Sequence, residues 1–237
     1  RLSYSKINLY QQCPFKFKKI YIENIPEKPN YLFSFGKTIH SVMEYLYSSD
    51  KLISKEDLLK FYKDNFVALG YNDLTQQEEY FNMGNEIIKK YYDLLVSEDS
   101  IKRAVMTEKY FEFPIGKYML NGFIDRIDRI DGNLYEIVDY KTDVEPRTQD
   151  EVDNDLQLTI YFWAAKNFGW NVNNLSLIFM RQLIQVSSRR DTDDIKKLEE
   201  YILDIGKRME SEIEFEPKIN KYCSNCDFLN ICPLRAE

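Results

Sequence analysis

Residues 117–130 and 133–141 are two runs rich in β-branched and aromatic residues, and the short Asp131-Gly132-Asn133 segment between them dictates an antiparallel hairpin. Every other element must accommodate that hairpin. A third run, 104–114, joins it through Pro114-Ile115-Gly116 and extends it to a three-stranded meander. Strand side chains alternate with period two, so Asp139 and Lys141 share a face, and pairing brings Asp125 close to Asp139 at one end of the sheet. Ile137 and Val138 beside Asp139 mark an interior strand, where a charged residue needs a partner or a metal.

Helical signals surround the meander. Ser3 and Ser5 are N-cap candidates for a short helix through Tyr10, which Pro14 ends directly after Cys13. From Phe35 to about Tyr47, Ile39, Val42, Met43 and Leu46 recur at i, i+3, i+4 and i+7 and form an apolar stripe, with His40, Glu44 and Tyr47 on another stripe. Ser54 with Asp57 and Thr75 with Glu78 read as capping-box starts, which predicts helices over 54–68 and 75–98. A helix is expected over 150–168, closed near Gly169, then strands near 174–180 and 182–187, and a polar helix from about Thr192 to Glu212. The expected class is α/β (α+β): one domain over residues 1–237, with a central mixed sheet flanked by helices. Within it, a helical block spans 35–100, a core 101–190, and a C-terminal helix with a cysteine knuckle 191–237.

A chain of 237 residues with 44% hydrophobic residues can bury one sizeable core. It has no apolar run near the roughly 20 residues that span a bilayer and no secretory signal pattern, so a soluble, cytoplasmic protein is expected. A net charge of −7 argues against coating nucleic acid through bulk electrostatics. The distribution is uneven, because residues 1–40 carry Arg1, Lys6, Lys16, Lys18, Lys19, Lys28 and Lys37 against Glu23 and Glu27. That excess is either a phosphate grip or a solvated face. No G-x4-G-K-[ST] phosphate loop is present, which excludes a helicase of that class.

Asp125, Asp139 and Lys141 combine two carboxylates with an amine, a set suited to Mg²⁺ or Mn²⁺ and a phosphodiester. The bland alternative is a turn-capping Asp125 and a surface Asp139–Lys141 ion pair. His40, the single histidine, is either a ligand, better for Mn²⁺ than for Mg²⁺, or a structural residue. Gln157 and Tyr161 lie four residues apart on one helix face and could bind substrate or hold Lys141. Cys223, Cys226 and Cys232 form C-x2-C-x5-C before Pro233, and Cys13 is the fourth cysteine. Disulfides, a Zn²⁺ site and an iron–sulfur cluster are the competing readings; a cytoplasmic chain disfavours the first.

With these residues in place the sequence resembles the RecB-like branch of the PD-(D/E)XK nucleases, which includes the AddB nuclease domain and CRISPR-adaptation nucleases with an iron–sulfur cluster. The likeness runs nearly end to end: Leu2 to Ile7 with Gln12-Cys13-Pro14, Gly36 to His40, Gly122 to Asp128, Val138 to Thr142, Gln157 to Tyr161, and the terminal cysteines. The resemblance implies a restriction-endonuclease-like core with a helical insertion. It implies metal ligation by Asp125, Asp139, His40 and the Tyr140 carbonyl, with Lys141 catalytic and Gln157 and Tyr161 in support. It also implies a 4Fe–4S cluster on Cys13, Cys223, Cys226 and Cys232, with Zn²⁺ as the alternative occupant. Glu108 sits on the preceding strand, but no motif fixes it and it stays outside the set. The departure from the family pattern is the acidic stretch 143–155, which would repel a phosphate backbone if it faced the cleft.

The expected activity is hydrolysis of single-stranded or frayed DNA ends by a Mg²⁺- or Mn²⁺-dependent exonuclease in recombination, repair or CRISPR adaptation. The partners are then DNA and other DNA-processing or CRISPR adaptation proteins, with no membrane. A catalytically idle iron–sulfur scaffold and a zinc-stabilised interaction domain are the competing classes, separable by metal analysis and a DNA digest.

Overall fold

The computed structural model describes residues 1–49, 51–97 and 104–235. Helices α1 (Tyr4–Gln12), α2 (Pro14–Tyr21), α3 (Tyr31–Tyr47), α4 (Lys55–Asn65) and α5 (Leu74–Ser97) precede the strands β1 (Ala104–Ile115), β2 (Tyr118–Asp131) and β3 (Leu134–Lys141). Then come α6 (Gln149–Asp153), α7 (Leu156–Asn167), β4 (Asn171–Phe179), β5 (Ile184–Ser188) and α8 (Thr192–Ser211). The five strands lie in the order β1-β2-β3-β4-β5. β2–β3 and β4–β5 are antiparallel and β3–β4 parallel, so the sheet is mixed, as expected. A parallel pair cannot be joined by a tight turn, and α6 and α7 supply the crossover between β3 and β4. Gly132 closes the β2–β3 turn at φ +48°, a left-handed backbone that glycine adopts without a Cβ penalty.

The chain forms two compact units. One holds residues 29–111 and 123–191. Its core packs Phe35, Ile39, Val42, Met43 and Leu46 of α3 with Leu58, Tyr62, Ile87, Ile88 and Tyr91 against Val138, Tyr140, Ile178 and Met180 of the sheet. α7 buries Leu158 and every residue from Ile160 through Ala165, so it lacks the polar stripe of a surface helix. The other unit holds residues 1–28, 112–122 and 192–237. There Phe17 stacks on Phe215 and the Tyr10 hydroxyl donates to Glu212.

Several boundaries differ from expectation for identifiable reasons. Pro14 does end α1, but it also opens α2 at the first helical position, where its missing N–H costs nothing. α3 starts one turn early because Asn30 accepts a hydrogen bond from the Leu32 amide. The cap of α5 is Asp73, bonded to the Gln76 amide, rather than Thr75. The helix expected over 150–168 is two, because Asp155 caps α7 by accepting from the Leu158 amide. The predicted helix end at 98, the end of the helical block at 100 and the start of the core at 101 lie outside the described residues.

Candidate functional site

The β2–β3 register pairs Arg126 with Val138 and Ile127 with Ile137, and the next step along brings Asp125 opposite Asp139. β3 is the middle strand, and Asp139 is 1% exposed. Its Oδ1 accepts from Gln157 Nε2 at 2.9 Å and from the Tyr161 hydroxyl at 3.2 Å. Its Oδ2 is buried, with Lys141 Nζ 2.5 Å away as an ion pair and no well-aligned hydrogen bond. Lys141 Nζ donates to Gln157 Oε1 at 2.7 Å, and Gln157 Nε2 also donates to Tyr161 at 2.7 Å. Both Gln157 amide hydrogens and its carbonyl oxygen are therefore engaged. The network closes on itself and fixes the lysine against the carboxylate.

A second cluster adjoins it. Asp125 Oδ2 accepts the Tyr140 amide at 3.0 Å and lies 3.1 Å from His40 Nδ1 on α3. Tyr140 enters the site through this N–H. His40, Glu108 and Asp125 each offer a ligand atom, and these atoms lie within 4.8 Å of one another. Glu108 was left aside on sequence grounds, and it belongs to this cluster. Its backbone has φ +45°, a left-handed conformation rare for glutamate inside a strand. A single acid in an otherwise ordinary strand gives no sequence signal for such a kink.

Charge within the cluster is coupled. Burial alone would lower the His40 pKa, but the charge and hydrogen bond of Asp125, with Asp139 behind it, raise it to about 9. Burial and the Asp125 charge push Asp139 up to about 6, against the opposing pull of Lys141 and His40. Glu108 rises to about 7 through burial and the Asp125 charge. For Lys141 burial favours the neutral amine, yet the Asp139 charge outweighs it and the ammonium is stabilised. Asp125 is lowered, since His40 and the Tyr140 amide together outweigh its burial. Carboxylate oxygens and one imidazole nitrogen are a donor set that suits Mg²⁺ or Mn²⁺.

The acidic stretch is absorbed locally. Arg147 pairs with Asp155 and Asp143, Glu151 completes a capping box with Thr148, and Asp153 accepts from Ser188 and Gln149. The basic excess of residues 1–40 is likewise reduced, because Arg1, Lys16 and Lys19 pair with Glu112, Glu27 and Glu23. The four cysteines are free thiols, half-buried, at the end of α1 and in the C-terminal knuckle. Cys13 caps both α1 and α2, and its sulfur accepts from the Lys16 amide, while the Cys223 sulfur accepts from the Asn220 amide.

The sequence profile of the PD-(D/E)XK nuclease superfamily matches residues 1–233. The chain belongs to the PD-(D/E)XK nuclease superfamily. Nucleases of this superfamily use divalent metals, in keeping with the cluster of His40, Glu108 and Asp125. Among curated relatives, the Gene 69 protein of Mycobacterium phage D29 is 24% identical over 269 residues, covering 98% of this chain and 96% of its own. Among solved structures, a protein from Eubacterium rectale described as a candidate exonuclease shares the fold, with a TM-score of 0.59 and 14% identity. That match covers 99% of this chain and 89% of the other. No helix among the described residues of this PD-(D/E)XK nuclease is long and apolar enough to cross a membrane.

Proposed function

We propose that this nuclease hydrolyses phosphodiester bonds of DNA, acting as an exonuclease on single-stranded or frayed ends within recombination, repair or CRISPR adaptation, as the RecB-like resemblance suggests. The observation that carries this is the Asp139–Lys141–Gln157–Tyr161 network set directly beside the His40–Glu108–Asp125 cluster. An idle scaffold would have no need to keep a buried lysine and carboxylate in register.

His40, Asp125 and Asp139 would hold the Mg²⁺ or Mn²⁺ ion, with Glu108 added to the set and the Tyr140 carbonyl as a further ligand. The bound ion supplies Lewis-acid polarisation of the phosphodiester. Lys141 Nζ, held by Gln157, is placed to orient the attacking water or to meet the negative charge that builds on the phosphate. Tyr161 and Gln157 hold Asp139 in one orientation. The burial of Asp139 excludes bulk water and strengthens each of these interactions.

The whole of residues 1–237 is read as one nuclease domain. Cys13, Cys223, Cys226 and Cys232 are read as ligands of a 4Fe–4S cluster. Backbone N–H donors point at two of the sulfurs, and burial, with smaller contributions from the Cys13 and Cys223 thiols, pushes the Cys226 thiol pKa up. Iron and sulfide assays on anaerobically prepared protein test the cluster. A digest of end-labelled single-stranded, duplex and closed circular DNA with Mg²⁺, Mn²⁺ or EDTA tests the activity: metal-dependent loss of open-ended DNA is expected, and inert DNA under every metal would overturn it.

A further inference from the structure

Phe33, Lys37, His40 and Glu44 recur at i, i+4, i+7 and i+11 on α3, so they share one face of the helix. This face begins at the metal-site histidine and runs toward the N-terminus of α3. Phe33 is 72% exposed. Lys37 is exposed and forms no ion pair among the described residues. α3 passes close to the end of the Asp139–Lys141 strand: a Cβ added at Gly36 would meet Thr142 Oγ1 at 3.4 Å, and Arg181 Nε holds the Thr142 carbonyl at 2.8 Å. The stripe is therefore anchored at its inner end beside the residues proposed for catalysis.

We propose that this face of α3 is the track for one unpaired DNA strand, with Lys37 on a phosphate next to the scissile one and the Phe33 ring stacked on a base beyond it. The inference rests on the reading of the site as a DNA nuclease. With a rise of about 1.5 Å per residue, Lys37 lies about 4.5 Å and Phe33 about 10.5 Å along the axis from His40. An anion followed by a flat aromatic surface is what a nucleotide chain offers at that spacing, and a ring can stack only on a base freed from its pair. Charge gives the track a direction. Glu44 lies one turn past His40 on the other side, and its negative charge repels a phosphate chain there. The strand is thus gripped on one side of the scissile bond, which suits cutting from an end.

The test uses the full chain and a fluorescein-labelled oligo-dT, with Ca²⁺ replacing Mg²⁺ to measure binding without turnover. Phe33→Ala should weaken binding by roughly 5- to 100-fold, whereas Phe33→Trp should bind like the native protein. Lys37→Gln should reduce the slope of log K against log salt by about 0.7, the value for one phosphate contact on a single strand. With Mg²⁺, the loss in both variants should appear in KM rather than kcat, and 2-aminopurine placed as the base beyond the Lys37 phosphate should be quenched by native protein and not by Phe33→Ala. If the native protein cuts DNA while Phe33→Ala and Lys37→Gln bind it with native affinity, the track is overturned and the nuclease reading stands. If Phe33→Ala instead turns a dimer into a monomer with DNA affinity untouched, the face is an interface between copies and the track is likewise overturned. DNA that the native protein neither binds nor cuts would remove the nuclease reading and the track with it.

Discussion

The proton inventory of the cluster sets what a divalent ion must displace. In the metal-free site at neutral pH, His40 holds its proton, with a pKa of about 9, and Glu108, near 7, is about half protonated. A metal needs neutral imidazole and ionised carboxylate, so binding must expel protons. The sign follows: affinity for Mg²⁺ should rise with pH through 7 and up to about 9, then level off, because above both values no proton remains to be displaced. Calorimetry in buffers of different ionisation enthalpy should show between one and two protons released near neutral pH, and fewer for His40→Asn. A heat of binding independent of buffer would contradict the ligand set. Asp139→Asn and Lys141→Met act on the neighbouring network and should each lower kcat by roughly 10²–10⁴-fold. Asp139→Asn should also weaken Mg²⁺ binding while Lys141→Met should not, a difference that circular dichroism and a Mg²⁺ titration would check on folded protein.

Among the elements, the β2–β3 hairpin is held to the helical layer by a buried cation. Arg126 donates to the Tyr140 hydroxyl at 2.6 Å, to Tyr91 at 3.1 Å and to Asp128 at 2.9 Å, and its guanidinium lies 4.2 Å over the Tyr47 ring. Asp125 and Asp128 flank this arginine, so the strand that presents the site is fixed by it. Arg126→Met leaves Asp128 buried beside an apolar chain and should cost about 3–5 kcal/mol in urea unfolding, with Arg126→Lys failing to restore it because one ammonium cannot reach three partners in a plane. Pairing Arg126→Met with Asp128→Leu should recover part of the loss. The hairpin, its turn and the placement of Asp125, Asp139, Lys141, Gln157 and Tyr161 were legible because each depends on local period or spacing: two along a strand, four along a helix. Arg126 and Asp128 lay within the segment singled out, yet their role was not legible, since it needs Tyr47, Tyr91 and Tyr140 from three other places in the chain. Glu108 stayed outside the set because no motif fixes it, and its left-handed backbone at φ +45° carries no periodic signal. The two-helix form of 149–167 was hidden because Asp155, one acid among several in its stretch, caps α7 through the Leu158 amide while its other oxygen pairs with Arg147.

Over the whole chain, the ends are tied together by few apolar contacts. Asn220 Nδ2 donates to the Gln12 carbonyl, Lys218 Nζ to the Gln11 carbonyl and the Lys28 amide to Asp227, while Phe228 is buried. Around them Ile219, Tyr222, Ile231 and Leu234 stay half or more exposed. A segment with so little buried apolar area cannot offset its ordering entropy without a cross-link or a metal. The proposed cluster supplies one: joining Cys13 to the three C-terminal cysteines closes a loop of about two hundred residues, worth at most about 5 kcal/mol by the chain-entropy treatment of cross-links. Cys13 also caps α2, so Cys13→Ala would confound lost ligation with a lost cap, whereas Cys13→Ser keeps an N-cap oxygen and removes the thiolate. Cys13→Ser should therefore yield iron-poor, colourless protein that melts roughly 5–15 °C lower, with the tail beyond Glu216 opened to protease, while the Asp139–Lys141–Gln157 network is untouched. Any loss of activity would then track temperature, so the variant should approach native rates when assayed well below its melting point. A Cys13→Ser protein that retains iron, sulfide and the native melting temperature would remove Cys13 from the ligand set and the staple with it.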